Sequence, residues 1–392
     1  MNTVPIGELV SKVEKLDPRL DFGDGTFNYI DIGAVSQDTK RVEAPQVIPC
    51  EEAPSRARQV VKKNDVLVST VRPNLNAVAQ VPAELDGTIA STGFSVLRPD
   101  PKKLEPSYLY HWVQTNVFVS KMMLQATGQS YPAVSDKIVK SSTIPLPPLE
   151  EQKRIAGILD QADTLRRLRT RALDKLNTLG QAVFHEMFGD PKNNVHDFPE
   201  TTLENLCQVI SDCLHKTPEH TEGRMGHPSV RSSDLQSGFI DLSSTKHVSA
   251  ETYADRIQRH RPVAGDVVYC REGARYGNCG MVPPNTELCL GQRTMLFQAK
   301  SGSVTPEYLW SVISSDELKK QADMTVGGAA SPHVNIRDIR KFTCLLPPYQ
   351  LQEQFSQKIE MVLGMRNCAI DHLRKTDTLF ASLQHRAFRG EF

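Results

Sequence analysis

Apolar positions along the 392-residue chain fall into three kinds of run. Short apolar runs bounded by Gly, Pro and Asn recur through residues 1–104 and again through 195–304, and they predict strands separated by turns. Within them, Lys63-Asn64-Asp65-Val66-Leu67-Val68 and Ala264-Gly265-Asp266-Val267-Val268-Tyr269 each read as a turn entering a buried strand. The second kind opens on proline: Pro106-Ser107-Tyr108-Leu109-Tyr110 and Pro306-Glu307-Tyr308-Leu309-Trp310 predict helix starts, because proline at the first helical position loses no hydrogen bond. The third kind is heptad-periodic. Ile155, Ala162, Leu176 and Val183 share one series, interrupted by Arg169, and Ile158, Leu165, Ala172 and Leu179 form a companion three residues on. Late in the chain Phe355, Val362, Ala369, Thr376 and Leu383 repeat the first series, with Ile359, Leu373, Phe380 and Ala387 one turn later.

These runs occur twice, at a period of 200 residues. Without a gap, Tyr108 and Leu109 fall on Tyr308 and Leu309; Gly128, Pro132 and Val134 on Gly328, Pro332 and Val334; Pro147, Pro148 and Gln152 on Pro347, Pro348 and Gln352. The register continues through Arg166, Leu173, Lys175, His185 and Phe188 onto Arg366, Leu373, Lys375, His385 and Phe388. Upstream, the turn at Lys63 matches that at Ala264 with an offset of 201. Between these anchors the halves diverge, which describes a tandem duplication with a shared framework and different loops.

The expected fold class is therefore α+β, with two tandem-repeat domains at 1–148 and 191–348 and two long helices at 149–190 and 349–392. Pro147-Pro148 and Pro347-Pro348 end the domains, since proline continues neither a ladder nor a helix interior. A helix of about 37 residues is ~55 Å long. Pairing of the two heptad seams as an antiparallel coiled coil would hold the domains apart at its ends with approximate two-fold symmetry. A parallel pair would need a return path that the short segment 190–200 does not supply.

Composition narrows the function classes. The 46 basic and 46 acidic residues cancel, so nucleic-acid binding has to come from local patches rather than bulk charge. No stretch approaches the ~18 apolar residues of a membrane span and the first residues have no basic-then-apolar pattern, so a cytoplasmic, non-membrane protein is expected. The eight cysteines never form Cys-x-x-Cys, which signals reduced thiols rather than a zinc site or a disulfide framework. Catalytic and cofactor motifs are missing as well. Leu346-Pro347-Pro348-Tyr349 is similar to the Asn/Asp-Pro-Pro-Tyr signature of amino-methyltransferases, but leucine cannot accept a hydrogen bond from a target amino group, and its copy Leu146-Pro147-Pro148-Leu149 reads as a structural hinge. Phe22-Gly23-Asp24-Gly25 lacks methyl-donor-loop spacing and reads as a turn; no phosphate loop occurs; Glu317-Leu318-Lys319 reads as a solvated helix face rather than half a nuclease site; His185 and His385 read as packing or capping residues. No catalytic residue, metal ligand or cofactor site is expected.

The order of a variable domain, Leu146-Pro147-Pro148-Leu149-Glu150-Glu151-Gln152, a heptad helix, a second variable domain, Leu346-Pro347-Pro348-Tyr349 with Gln352, and a second helix resembles the specificity subunits of type I restriction-modification systems. The second copy departs by having Leu351 where the first has Glu151. The resemblance implies two target-recognition domains, each reading one half of a split, asymmetric site in double-stranded DNA. It implies helices that set the spacing and dock two methyltransferase subunits, with restriction/translocase subunits completing the assembly. S-adenosylmethionine, ATP and magnesium would belong to those partners. Rival classes are a solitary DNA-modifying enzyme and a helical protein-binding scaffold without DNA readout.

Reading a base sequence requires side chains that reach base edges: Arg for guanine, Asn or Gln for adenine, aromatic groups for methyl contact or stacking. Loops that differ between matched halves are the place to seek them. Arg72, Asn74 and Asn76 occupy one such loop, and Arg271, Arg275, Tyr276 and Asn278 the corresponding place in the second copy. A second pair of loops follows the matched glycines, with Gln129, Ser130 and Tyr131 in one half and Ser331 and His333 in the other. Lys40, Arg41, Arg56, Arg58, Lys62 and Lys63, with Arg256, Arg259, His260 and Arg261, are candidate phosphate contacts.

Overall fold

A computed structural model describes the chain apart from Met1, Gln129, Ala274 and residues 327–331. It divides into two compact units, residues 1–170 with 372–392, and residues 171–371. Each long helix, Leu149–Phe188 and Tyr349–Arg389, therefore supplies its first half to one unit and its second half to the other.

In the first unit the strands Val10–Ser11, Phe94–Pro99, Val66–Ser69 and Val78–Gln80 form an antiparallel sheet in that spatial order. All four residues of Val66–Ser69 are buried, which accounts for an apolar run without alternation. Val66 and Val68 face a core with Tyr108, Leu109 and Trp112, while Leu67 faces a second core with Ile30, Val35 and Phe94 on the other side. The strands Gln46–Pro49, Thr26–Ile30, Ile89–Ser91 and Ala57–Val60 make a second sheet. The second unit repeats the plan. Val267–Cys270 lies between Thr294–Ala299 and Cys279–Met281, with Val267 and Tyr269 toward the helices and Val268 and Cys270 toward the opposite core. The expected turns are present: buried Asp65 accepts the Lys62 backbone N–H at 2.8 Å, and buried Asp266 that of Val263 at 2.9 Å. The carboxylate fixes each turn before its strand begins. Burial raises the Asp266 pKa even though those hydrogen bonds favour the charged form.

Helices Pro106–Val113 and Pro306–Ile313 start on the expected prolines. The buried Tyr108 hydroxyl donates to the Pro145 carbonyl at 2.9 Å, and Tyr308 to Leu345 at 2.8 Å. At each junction between domain and long helix a fully buried glutamine makes the same three bonds. Gln152 donates to the Lys103 and Pro147 carbonyls and accepts from the Glu105 N–H; Gln352 donates to Ser303 and Pro347 and accepts from Thr305, all between 2.8 and 3.1 Å. Phe388 packs on Tyr108 at 5.0 Å between ring centroids, and Phe188 on Tyr308 at 5.0 Å, so the end of each helix closes the core of the unit in which it finishes.

One heptad series is corrected. Of the residues expected inside on the second helix, Phe355, Ile359, Val362, Thr376, Phe380 and Ala387 are buried, and Ala369, Leu373 and Leu383 are half-buried. In the first helix the companion series is displaced: Ala172 is exposed and Leu165 and Leu179 are each 40% exposed, while Leu159, Gly180 and Phe184 are buried. The inward stripe runs four residues on from the first series, matching the second helix, because it must meet its own domain as well as a helix and so keeps nearer the 3.6-residue period. No helix among the described residues is long and apolar enough to cross a membrane.

Candidate nucleic-acid interface

The strand Val66–Ser69 leads into a loop whose shape is fixed by the backbone. Arg72 and Asn76 adopt left-handed conformations (φ 50° and 47°) on either side of a single 3-10 turn, Pro73–Leu75. That conformation costs a non-glycine residue on the order of 1 kcal/mol, so the surrounding bonds have to hold it. The Arg72 N–H donates to the Pro132 carbonyl at 2.7 Å, the Asn76 side chain donates to the Gln114 carbonyl at 3.2 Å, and Lys40 Nζ donates to the Asn76 carbonyl at 2.6 Å. Burial lowers the Lys40 pKa against the opposing pull of Asp38. Asn76 thus anchors the turn, whereas Arg72 and Asn74 are exposed.

The bond to Pro132 brings the two candidate loops of the first unit together. The Arg72 guanidinium lies over the Tyr131 ring, 4.5 Å from its centroid, and Tyr131 is 67% exposed beside exposed Ser130. A cation stacked on an aromatic ring keeps its in-plane N–H groups free for a base edge while the ring limits its rotation. Gly128 permits the approach: at φ 94°, a Cβ there would sit 2.8 Å from the Tyr131 carbonyl oxygen. Gln129 lies outside the described residues.

The second unit uses the same backbone joint with different chemistry. Thr70 N–H bonds the Gly93 carbonyl and Val134 N–H bonds Thr70; Arg271 N–H bonds Arg293 and Val334 N–H bonds Arg271; Arg72 N–H bonds Pro132 and Gly273 N–H bonds Pro332. The counterpart of Arg271 is therefore Thr70, and that of Arg72 is Gly273. This corrects the expectation that Arg271 is an exposed reader. It is 4% exposed, with Nε and Nη2 3.2 and 3.3 Å from the two carboxylate oxygens of Asp212, Nη1 3.1 Å from His333 Nε2, and Glu272 at 3.4 Å. Because His333 Nε2 accepts from Arg271, its proton is on Nδ1, toward Glu272 at 3.6 Å. Asn278 donates to the Leu235 carbonyl at 3.0 Å as a turn anchor, and half-buried Tyr276 hydrogen-bonds Asp323.

Arg275 is exposed, with Nη1 3.2 Å from Gln236, and His333 is 54% exposed. Ser331 lies outside the described residues. Sequence reasoning missed Arg293, an exposed left-handed residue (φ 67°) whose Nη1 would sit 3.4 Å from a Cβ on Gly273. The signal was available: at the 200-residue register the first copy has Gly93, so a long cation stands where the other half has no side chain.

The phosphate candidates divide by burial. Lys40, Arg41 and Lys63 line one cleft of about 460 Å³, and Arg56 and Lys62 are exposed. Arg58 pairs with Asp17 at 3.0 Å, His260 is 3.5 Å from Asp266, Arg261 pairs with Glu287, and Arg259 reaches the Cys213 carbonyl at 3.4 Å. Arg256 is a correction: it is buried and donates to the Leu290 carbonyl at 2.8 Å and to that of Lys216, so it braces the domain and faces no phosphate.

Residues 3–178 match the type I restriction modification DNA specificity domain. Over 320 residues, 76% of this chain and 67% of the relative, the sequence is 24% identical to the EcoKI specificity subunit of Escherichia coli K12. Over most of its length the chain is similar to type I restriction-modification specificity subunits. The MjaVIII specificity subunit of Methanocaldococcus jannaschii is 23% identical over 319 residues, 77% of this chain and 73% of that one. Among solved structures, a chain from work on complex assembly and conformational transition of the type I restriction-modification system aligns with 100% of this chain and 98% of its own length, at 25% identity and TM-score 0.54. The S subunit from Mycoplasma genitalium aligns over 99% and 96% at TM-score 0.58; at 13% identity it speaks for the fold alone.

Proposed function

We propose that this chain reads DNA for a type I restriction-modification assembly, one half-site with each of two target-recognition domains, at residues 1–148 and 191–348. The observation that carries the reading is the shared backbone joint at Arg72–Pro132 and Gly273–Pro332, on which the two halves mount different side chains. One scaffold presenting two chemistries is what an asymmetric, two-word target requires. In the first half Arg72, Asn74, Ser130 and Tyr131, with Gln129, face the bases; in the second Arg275, Arg293 and His333 do so, with Ser331, while Arg271, Tyr276 and Asn278 hold that loop in shape. Asn76 has the same holding role in the first half. Arg41, Arg56, Lys62 and Lys63 meet phosphates and set register without reading sequence.

The helices at 149–190 and 349–392 act as an antiparallel coiled-coil spacer with pseudo-two-fold symmetry, and they dock two methyltransferase subunits, with restriction/translocase subunits joining them. Supporting this, the first helix leaves Leu165, Leu168 and Leu179 exposed and the second Met361, Met365 and Leu379, apolar surface of the kind that protein partners cover. The chain is a recognition subunit and not an enzyme. Given S-adenosylmethionine, purified chain should methylate no DNA, and activity should arise only when its methyltransferase is added. Methylation by the chain alone, surviving inactivation of every co-purifying methyltransferase, would assign it to the solitary enzymes.

A further inference from the structure

In the first unit Arg166 is a satisfied cation. Its Nε bonds Asp377 at 2.7 Å, Asp163 is 3.5 Å away, and the guanidinium carbon lies 4.5 Å from the Phe380 ring centroid. At the 200-residue register its counterpart is Arg366, and every one of these supports has changed: Asp377 corresponds to Asn177, Asp163 to Leu363 and Phe380 to Gly180. The second unit thus keeps the guanidinium but not the two carboxylates; the counterpart of the Phe380 ring is gone, and Arg366 lies instead 5.2 Å from the Phe239 ring centroid and 6.0 Å from that of Trp310.

What remains is a cavity of about 80 Å³ lined by Asn177, Gly180, Trp310, Leu363 and Arg366. Arg366 is 6% exposed and donates to the Gly238 carbonyl at 3.1 Å; among the described residues it forms no ion pair with any acidic side chain. Three buried polar atoms on this wall have no hydrogen-bond partner: Arg366 Nε, Trp310 Nε1 and Asn177 Oδ1. Two of them are N–H donors, and the amide of Asn177 presents a third on rotation by half a turn. A buried guanidinium without a counter-charge is costly, and burial pulls its pKa down only to about 10, so it stays charged at neutral pH. Gly238 (φ 85°) completes the cradle, since a Cβ there would meet Trp310 at 3.1 Å and Arg366 at 3.2 Å.

We propose that this cavity binds a small monovalent anion of carboxylate size, which takes the place that the Asp377 carboxylate holds beside Arg166. Arg366 Nε and Trp310 Nε1 donate to it, and the vacated volume of the missing aromatic ring accommodates it. By this measure of volume the space exceeds what one water needs.

The test is thermal denaturation of the full chain in sodium formate against sodium gluconate at equal ionic strength, since gluconate is too large to enter. Tm should rise saturably with formate, by about 2–4 °C, with a parallel change in tryptophan emission. Asn177→Asp supplies the missing carboxylate and should abolish the formate-dependent rise; Gly180→Leu fills the cavity and should do the same if the first variant folds poorly. A formate response of equal size in the wild type and in whichever variant folds, or none in the wild type, would overturn the proposal.

Discussion

Arg72 and Arg271 occupy corresponding loops of the two halves, yet alanine at the two positions should act on different properties. Removing Arg271 strips Asp212, itself mostly buried, of a two-point guanidinium contact and removes a donor to His333. Breaking a buried pair from one side costs about 3–5 kcal/mol. Asp212 keeps the Cys213 N–H at 3.0 Å and His215 at 3.2 Å, which lowers the expected loss to about 2–4 kcal/mol. For a unit of this size that is a fall in Tm of roughly 5–15 °C. Arg72→Ala removes an exposed side chain and leaves the backbone joint intact, so stability should change by less than about 1 kcal/mol. Its effect should appear in recognition: about 1–3 kcal/mol lost at one position of one half-site if the guanidinium is bidentate to guanine, with the other half-site unchanged. Urea denaturation of both variants, with methylation of a degenerate-site library by the assembled complex, separates the two. If Arg271→Ala is as stable as the wild type and relaxes a half-site in the manner of Arg72→Ala, the buried ion-pair assignment is wrong.

Three further outcomes are expected. Gln152→Ala and Gln352→Ala each delete three hydrogen bonds at equivalent junctions, so both should lose about 2–4 kcal/mol in urea denaturation; a large loss in one and none in the other would deny the equivalence. Gly128→Ala forces a Cβ against the Tyr131 carbonyl at a positive φ; it should cost about 1–2 kcal/mol and weaken selectivity at the first half-site only, read from the same library. Inserting one heptad into both long helices adds ~10.5 Å and should lengthen the preferred spacer by roughly three base pairs with the half-site words unchanged; an active insertion protein that keeps the original spacer would show that the helices do not set it.

Much of the fold was legible because the duplication works as an internal comparison. The glutamines that follow the paired prolines, the prolines that open helices, and Tyr108 with Tyr308 were visible as matched anchors, and their equivalence reappears bond for bond. What failed was finer than an anchor. At the offset of 201 that joins Thr70 to Arg271, Arg72 falls on Gly273, which has no side chain, so loops compared only as blocks hide that their arginines are not counterparts. The misplaced heptad series has a similar origin: Leu159 and Gly180 were recoverable from Ile359 and Phe380 at the 200-residue register, but glycine carries no hydrophobic signal. Burial of arginine was not legible at all, because Arg256 and Arg271 are satisfied by carbonyls and a carboxylate distant in sequence.

Two different chemistries on one repeated framework should read two different words. Modified-base sequencing of a DNA library carrying all spacer lengths, after exposure to the chain reconstituted with its methyltransferase, tests it most directly. Methylation should be confined to two short, unlike words separated by a spacer of fixed length and free sequence, with Arg72→Ala altering one word and Arg275→Ala or Arg293→Ala the other. A single continuous word, or one word changed by variants in both halves, would contradict it.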